Sequence, residues 1–214
     1  MEQQMNEKII EIVHQVNDMI PVEWDDLYIN FEVDRTLSGE IYFFFKYNGE
    51  YHYFFYIPQE FGISKSEFFD EYRLLFKKAQ ELKKVFMDNG LSDWSAGLIH
   101  LDENNKLSVD FDYAPWLESG FGPSARTSFF QYKYLGKQPA NEKELEQFKA
   151  MEAFQREHNQ KQSKLDYILK NAIFEPCCYR EMEYKMLENF VKVADMPQEV
   201  IENIRKLPKN TVLN

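Results

Sequence analysis

An α+β fold is predicted by three features of the 214-residue sequence: alternating runs joined by tight turns, a long amphipathic helix between them, and a helical tail. The expected architecture is an antiparallel sheet of about five strands packed with an N-terminal helix and the long helix, followed by a helical C-terminal extension. With 44% hydrophobic residues, 19 Phe and 13 Tyr, the chain can bury a substantial core and lacks a disordered composition.

Each element has its own signal. Ile9, Ile12, Val13, Val16, Met19 and Ile20 recur at helical spacing, and Pro21 stops that helix. Leu27, Ile29, Phe31 and Val33 then alternate with Tyr28, Asn30, Glu32 and Asp34, as a half-buried strand requires. Leu37-Ser38-Gly39 turns into EIYFFFKY, and Asn48-Gly49 turns that run into YHYFFYI. Asn-Gly between two β-rich runs signals a hairpin. Simple alternation groups Ile41, Phe43 and Phe45 with Tyr51, Tyr53 and Phe55, and sets Tyr42, Phe44, Phe54 and Tyr56 on the opposite face. One face should cover the long helix. The other lies beneath a second helix, the first in the chain being one candidate, or forms an exposed interface.

In ISKSEF, Ser64 and Glu67 have the spacing of a capping box, and Ile63 and Phe68 that of a hydrophobic staple. Phe68, Tyr72, Leu75, Ala79, Leu82 and Phe86 form one stripe of the helix that follows, which Asn89-Gly90 ends. Trp94 precedes a second hairpin, SAGLIHLDE and KLSVDFDY, joined by Asn104-Asn105. After Gly122-Pro123-Ser124, the run ARTSFFQYKYLG is expected to be a short helix. Residues 136–140 read as a boundary, dividing an α+β domain, 1–138, from a helical extension, 139–214. Helices are expected there over 141–160 (Leu145, Phe148, Met151, Phe154), 163–174, 178–194 and 197–207, with the polar EHNQKQSK as a solvated or mobile break.

Charge is placed unevenly. Residues 1–136 carry 23 acidic and 12 basic side chains, whereas residues 137–214 carry 13 of each, so the whole net charge of −11 belongs to the first part. This argues against direct binding of nucleic acid, whose phosphates would be repelled, and permits attraction to a basic partner. No apolar run approaches the roughly 20 residues that span a bilayer, and MEQQMNEKIIEIVHQ lacks the features of a signal peptide. A cytoplasmic protein with no membrane contact is the expectation. Cys177 and Cys178 are adjacent and cannot build a disulfide framework, so free thiols are expected.

Catalytic signals are sparse. His14, His52, His100 and His158 show no zinc-like spacing, and no nucleophile elbow, phosphate loop or dinucleotide fingerprint occurs. No catalytic residue, metal or cofactor is assigned. The carboxylates of the second hairpin and its exit, Asp102, Glu103, Asp110, Asp112 and Glu118, admit three readings: a solvated sheet face, a partner contact, or the metal site of a phosphoesterase. The third would also require cations for the phosphate, and only Lys106 and His100 lie near in sequence. Trp116 and Phe121 beside these acids are either partner anchors or the closure of the sheet.

Three blocks in order, MIPVEWDDLYI (19–29), YIPQEFGISKSEF (56–68) and DYAPWLESGFGPSARTSFFQYKYLG (112–136), resemble the YezG/EsaG-type antitoxins. These are immunity proteins of Gram-positive bacteria that neutralise nuclease toxins linked to type VII secretion. The resemblance covers roughly residues 5–150 and implies a cytoplasmic, non-enzymatic protein that binds a cognate nuclease toxin. The tail extends beyond the family core. On this reading Asp102, Glu103, Asp110, Asp112, Trp116, Glu118 and Phe121 are candidates for meeting a basic toxin. A metal-dependent phosphoesterase using the 102–118 carboxylates, or a homo-oligomeric binding module using the aromatic sheet, are the alternatives.

Overall fold

The helical period and the alternation seen in the sequence become real elements in the computed structural model, which describes residues 2–171 except Ser92 and Asn105. The order is α1 (Glu2–Met19), β1 (Leu27–Val33), β2 (Gly39–Tyr47), β3 (Glu50–Tyr53), α2 (Ile57–Phe61), α3 (Lys65–Asp88), β4 (Ala96–Leu101), β5 (Leu107–Asp112), α4 (Pro123–Leu135) and α5 (Glu142–Asn171). Short 3-10 turns at Phe54–Tyr56 and Trp116–Glu118 precede α2 and α4. The expected helices at 178–194 and 197–207, and the Cys177-Cys178 pair, lie outside the described residues.

All five strands pair antiparallel in the order β3-β2-β1-β4-β5. The α+β expectation is met. One face of the sheet, built from Leu27, Ile29, Phe31, Ile41, Phe43 and Phe45, is fully buried. It packs with the predicted stripes of α1 and α3, which lie against each other. Gly97 is required beneath this face, because a Cβ there would lie 2.3 Å from the Phe31 ring. Lys83 is buried on α3. It donates to Asp93 Oδ1 at 2.6 Å and to the Trp94 carbonyl, and its ammonium sits 4.4 Å from the Trp94 ring centroid. The ring contact and the carboxylate offset part of the cost of burying this charge, but burial still holds the Lys83 ammonium below the usual lysine range.

Four expectations are corrected. The run YHYFFYI is not one strand: pairing stops at Tyr53, and Phe54 turns inward to lie 5.5 Å from Phe43 and 5.2 Å from Tyr72. Pro58, which has no N–H for a ladder, sits in the first turn of α2 instead. The face assignment also changes. Asn48 and Gly49 both have positive φ, 53° and 84°, making the two-residue turn that sets Tyr53 opposite Phe44 and Tyr51 opposite Lys46. Such a turn pairs odd positions with even ones, so Tyr51 and Tyr53 share the face of Tyr42 and Phe44.

Ser64 occupies the N-cap of α3, but its side chain makes no capping hydrogen bond, so the capping box is not formed. Finally, residues 142–171 form one helix, not two. The segment contains no Gly or Pro, and a polar composition alone does not interrupt a helix.

The second sheet face is covered by α4, not by α1. Phe130 stacks 5.7 Å from Phe44 and meets Tyr42 edge-on at 5.4 Å. Pro123 starts α4, and Gly136, at φ 72°, ends it. Phe148 and Met151 on α5 are buried with Ala96, Ala114, Trp116 and Phe129, a second apolar cluster at the β4–β5 side.

Candidate functional site

The register of the second face brings carboxylates into one row. Glu40 pairs with Glu32, Glu32 with Ala96, and Ala96 with Asp112, so the row crosses β2, β1, β4 and β5. Side chains of directly paired residues share a face. The next row is Tyr42, Asn30, Leu98 and Asp110. Two acids on β5 thus lie on the same face as two acids from β1 and β2.

Arg126 of α4 answers part of this charge. Its Nε donates to Glu32 Oε1 at 3.1 Å, one terminal nitrogen to Glu40 at 2.7 Å, and the other to the Phe121 carbonyl at 2.7 Å. Glu32 and Arg126 are 3% and 6% exposed. Glu32 Oε2 stands 2.8 Å from the same Nε in ion-pair contact but accepts no hydrogen bond of its own. Burial lifts the Glu32 carboxyl to about 7, and the Arg126 charge only partly opposes this.

Above these rows, between the sheet, α4 and α5, lies a cavity of about 430 Å³. Its walls include Glu32, Ala96, Asp110 and Asp112 from the sheet, Lys133 from α4 and Gln155 from α5. Asp112 is fully engaged. Its Oδ1 accepts from the Ala114 amide at 2.9 Å, and its Oδ2 accepts from the Trp116 indole N–H and from Gln155 Nε2, both at 2.6 Å. Lys133 donates to Gln155 Oε1 and lies over the Phe129 and Tyr134 rings.

The sequence-nominated residues therefore separate into groups. Trp116 is buried, with Phe129 at 6.0 Å and Phe154 at 5.4 Å. Phe121 is half-buried beside it at 6.4 Å. Asp102 shapes the β4–β5 turn by accepting from the Asn104 and Lys106 amides at 2.8 Å. Glu103, Asp110 and Glu118 are exposed. Among the described residues, no three His, Cys, Asp or Glu side chains converge as a metal site would need.

Sequence reasoning did not single out Glu32, Glu40, Arg126 or Lys133. A signal was available: Arg126 is the sole basic residue between Lys106 and Lys133 in an otherwise acidic and aromatic stretch. It also missed Phe55 and Tyr56, 53% and 50% exposed, because both were assigned to a paired strand. A second titratable group lies at the end of the same face. Asp26 Oδ1 is 2.7 Å from His100 Nε2, and Asp26 Oδ2 accepts from the Tyr51 hydroxyl. Burial would raise Asp26, but these two hydrogen bonds prevail and hold it below the usual carboxylate range.

Residues 5–149 match the family described as immunity protein YezG-like. The type VII secretion system protein EsaG of Staphylococcus aureus is 30% identical over 158 residues, 73% of this chain and 96% of the relative. The immunity protein YezG of Bacillus spizizenii is 32% identical over 130 residues, 60% of this chain and 80% of the relative. Its namesake in Bacillus subtilis is 30% identical over 136 residues, 63% and 90% of the two chains. Those 145 matched residues run from within α1, through the sheet and the row of carboxylates, to the first turns of α5, and the chain belongs to the YezG-like immunity protein family.

Proposed function

We propose that this protein is a cytoplasmic, non-enzymatic antitoxin that binds and neutralises a cognate nuclease toxin of a type VII secretion system. The observation that carries the reading is the family match across residues 5–149, supported by the name of the staphylococcal relative. Physical chemistry agrees with it. A nuclease must be basic where it holds phosphates, and the region matched to the family carries 25 acidic and 15 basic residues, nearly all of the acid excess of this chain. Exposed Glu103, Asp110 and Glu118, with Asp102 on the same hairpin, supply negative charge for long-range attraction. Trp116 and Asp112 hold the surface that presents them, and half-buried Phe121 supplies contact area at its edge.

Co-purification with the product of a neighbouring toxin gene, and loss of that toxin's nuclease activity on mixing, test the proposal. The antitoxin alone is expected to hydrolyse neither nucleic acid nor phosphate esters with Mg²⁺ or Mn²⁺. Metal-dependent turnover that disappears in Asp110→Asn would replace this reading with that of a phosphoesterase.

A further inference from the structure

We propose that the cavity between the second sheet face, α4 and α5 is a receptor for a cationic side chain, an arginine or lysine, presented by the protein partner. This rests on the antitoxin reading for the source of that side chain, but the chemistry of the cavity stands on its own. Three observations carry it. The first is the deficit of positive charge. Glu32 and Glu40 share one guanidinium, that of Arg126, and Asp112 in the same row forms no ion pair with it. Lys133 also lines the cavity but is exposed, and it is turned to Gln155 and to the Phe129 and Tyr134 rings. Arg156 and Glu152, one helical turn apart on α5, also line the cavity, and both are exposed.

The second observation is a buried acceptor whose near cation, Arg126 Nε at 2.8 Å, gives it no hydrogen bond. Glu32 lines the cavity, is 97% removed from solvent by its 3% exposure, and leaves Oε2 without a hydrogen bond. A buried carboxylate oxygen in that state favours an incoming N–H donor. The third is room of the right kind. Ala96 is the one small side chain in the row, and it separates Glu32 from Asp112 by two strand spacings, about 10 Å. Tyr42, Phe129, Phe130 and Tyr134 line the same space. Aromatic faces beside carboxylates attract a cation and accommodate its aliphatic stem. The volume, about 430 Å³, lies within the usual range for a pocket that encloses a small ligand.

Agmatine, a small guanidinium compound, probes this site with no toxin present, so its result is separate from whether the chain is an antitoxin. Titration into the full chain, followed by nuclear magnetic resonance, should shift the Trp116 indole N–H and the Arg126 side-chain resonances saturably. Glu32→Gln should weaken the affinity at least tenfold, whereas Glu67→Gln, on the exposed start of α3, should leave it unchanged. The Glu32 carboxyl carbon provides a readout that needs no variant: its titration midpoint should fall when agmatine is bound. Absence of saturable shifts in the millimolar range, or an unmoved Glu32 midpoint, overturns the proposal. Inorganic phosphate shifting the same resonances in place of agmatine would also overturn it, identifying an anion site built on Arg126 and Lys133.

Discussion

Trp116 donates its indole N–H to the Asp112 carboxylate at 2.6 Å, so two residues that the sequence offered as partner contacts bind each other. The bond folds the segment after β5 back onto its own strand, and Gln155 closes it from α5 at 2.6 Å. Trp116→Ala is therefore expected to act on folding. Loss of a buried Trp costs about 3–5 kcal/mol, and Asp112 loses one donor as well. Trp116→Phe should cost less, retaining ring contact while removing a hydrogen bond to a carboxylate worth about 1.5–3 kcal/mol. Denaturant unfolding of the two variants checks this ordering. Full stability in Trp116→Ala, with faster dissociation from the toxin, would return Trp116 to the role of an interface anchor.

The exposed acids should behave differently. Reversal of Glu103, Asp110 and Glu118 to Lys together is expected to slow association with the toxin far more than it accelerates dissociation. Charges at a rim act through long-range steering, and salt at physiological strength limits their reach to a Debye length of about 8 Å. The rate difference should accordingly shrink as salt is added. Asp112 is left out of this variant because its bonds to Trp116 and Gln155 make it part of the fold. Equal association rates at low salt would remove these three acids from the interface.

Much of the fold was legible because burial imposes a period on sequence. The stripe Phe68 to Phe86, the alternation Leu27 to Val33 and the turn at Asn48-Gly49 each reappear as a helix, a strand and a hairpin. What the sequence did not disclose were relations between elements. Nothing local distinguishes Phe54 turning beneath the sheet from Phe54 continuing a strand, since both conformations bury an aromatic ring. The carboxylate row depends on the pairing of Glu32 with Ala96, 64 residues apart along the chain, which brings Asp112 into line with Glu32 and Glu40. Trp116 looked exposed because its cover, Phe129, Phe148 and Phe154, arrives from two later helices.

Glu32 and Asp26 give the stability of the protein opposing pH dependences. Burial raises Glu32 from 4.5 to about 7, so the folded chain retains a proton there that the unfolded chain releases at lower pH. The stability associated with that proton is fully present below about 4.5 and is lost as pH rises through about 7. Asp26 is lowered by its His100 and Tyr51 hydrogen bonds, so its contribution is present above the unfolded value and lost as pH falls through the folded one. The melting temperature should therefore peak in weakly acidic buffer and decline toward pH 8. Each pKa unit corresponds to about 1.4 kcal/mol, so Glu32→Gln should remove a decline of a few kcal/mol. Calorimetry across pH 5 to 8 compares the slopes, and an identical slope in the variant would assign the decline to other groups.

Removal of the chain after residue 138 tests how far the sheet stands without α5. The core facing α1 and α3 is complete within residues 5–130, whereas the second cluster takes Phe148 and Met151 from α5. We expect the fragment 1–138 to retain a folded sheet by circular dichroism but to melt lower, since each large apolar side chain withdrawn from a cluster costs about 2–5 kcal/mol. Fluorescence localises the change. Trp24 and Trp94 are buried in the first cluster, so a red shift would report Trp116, which loses the Phe154 ring at 5.4 Å and the Asp112 bridge to Gln155. A longer fragment, 1–160, contains those α5 residues and should recover both the emission and the melting temperature. An unfolded 1–138 fragment would mean that the two segments share one cooperative core and that the boundary read at residues 136–140 does not divide domains.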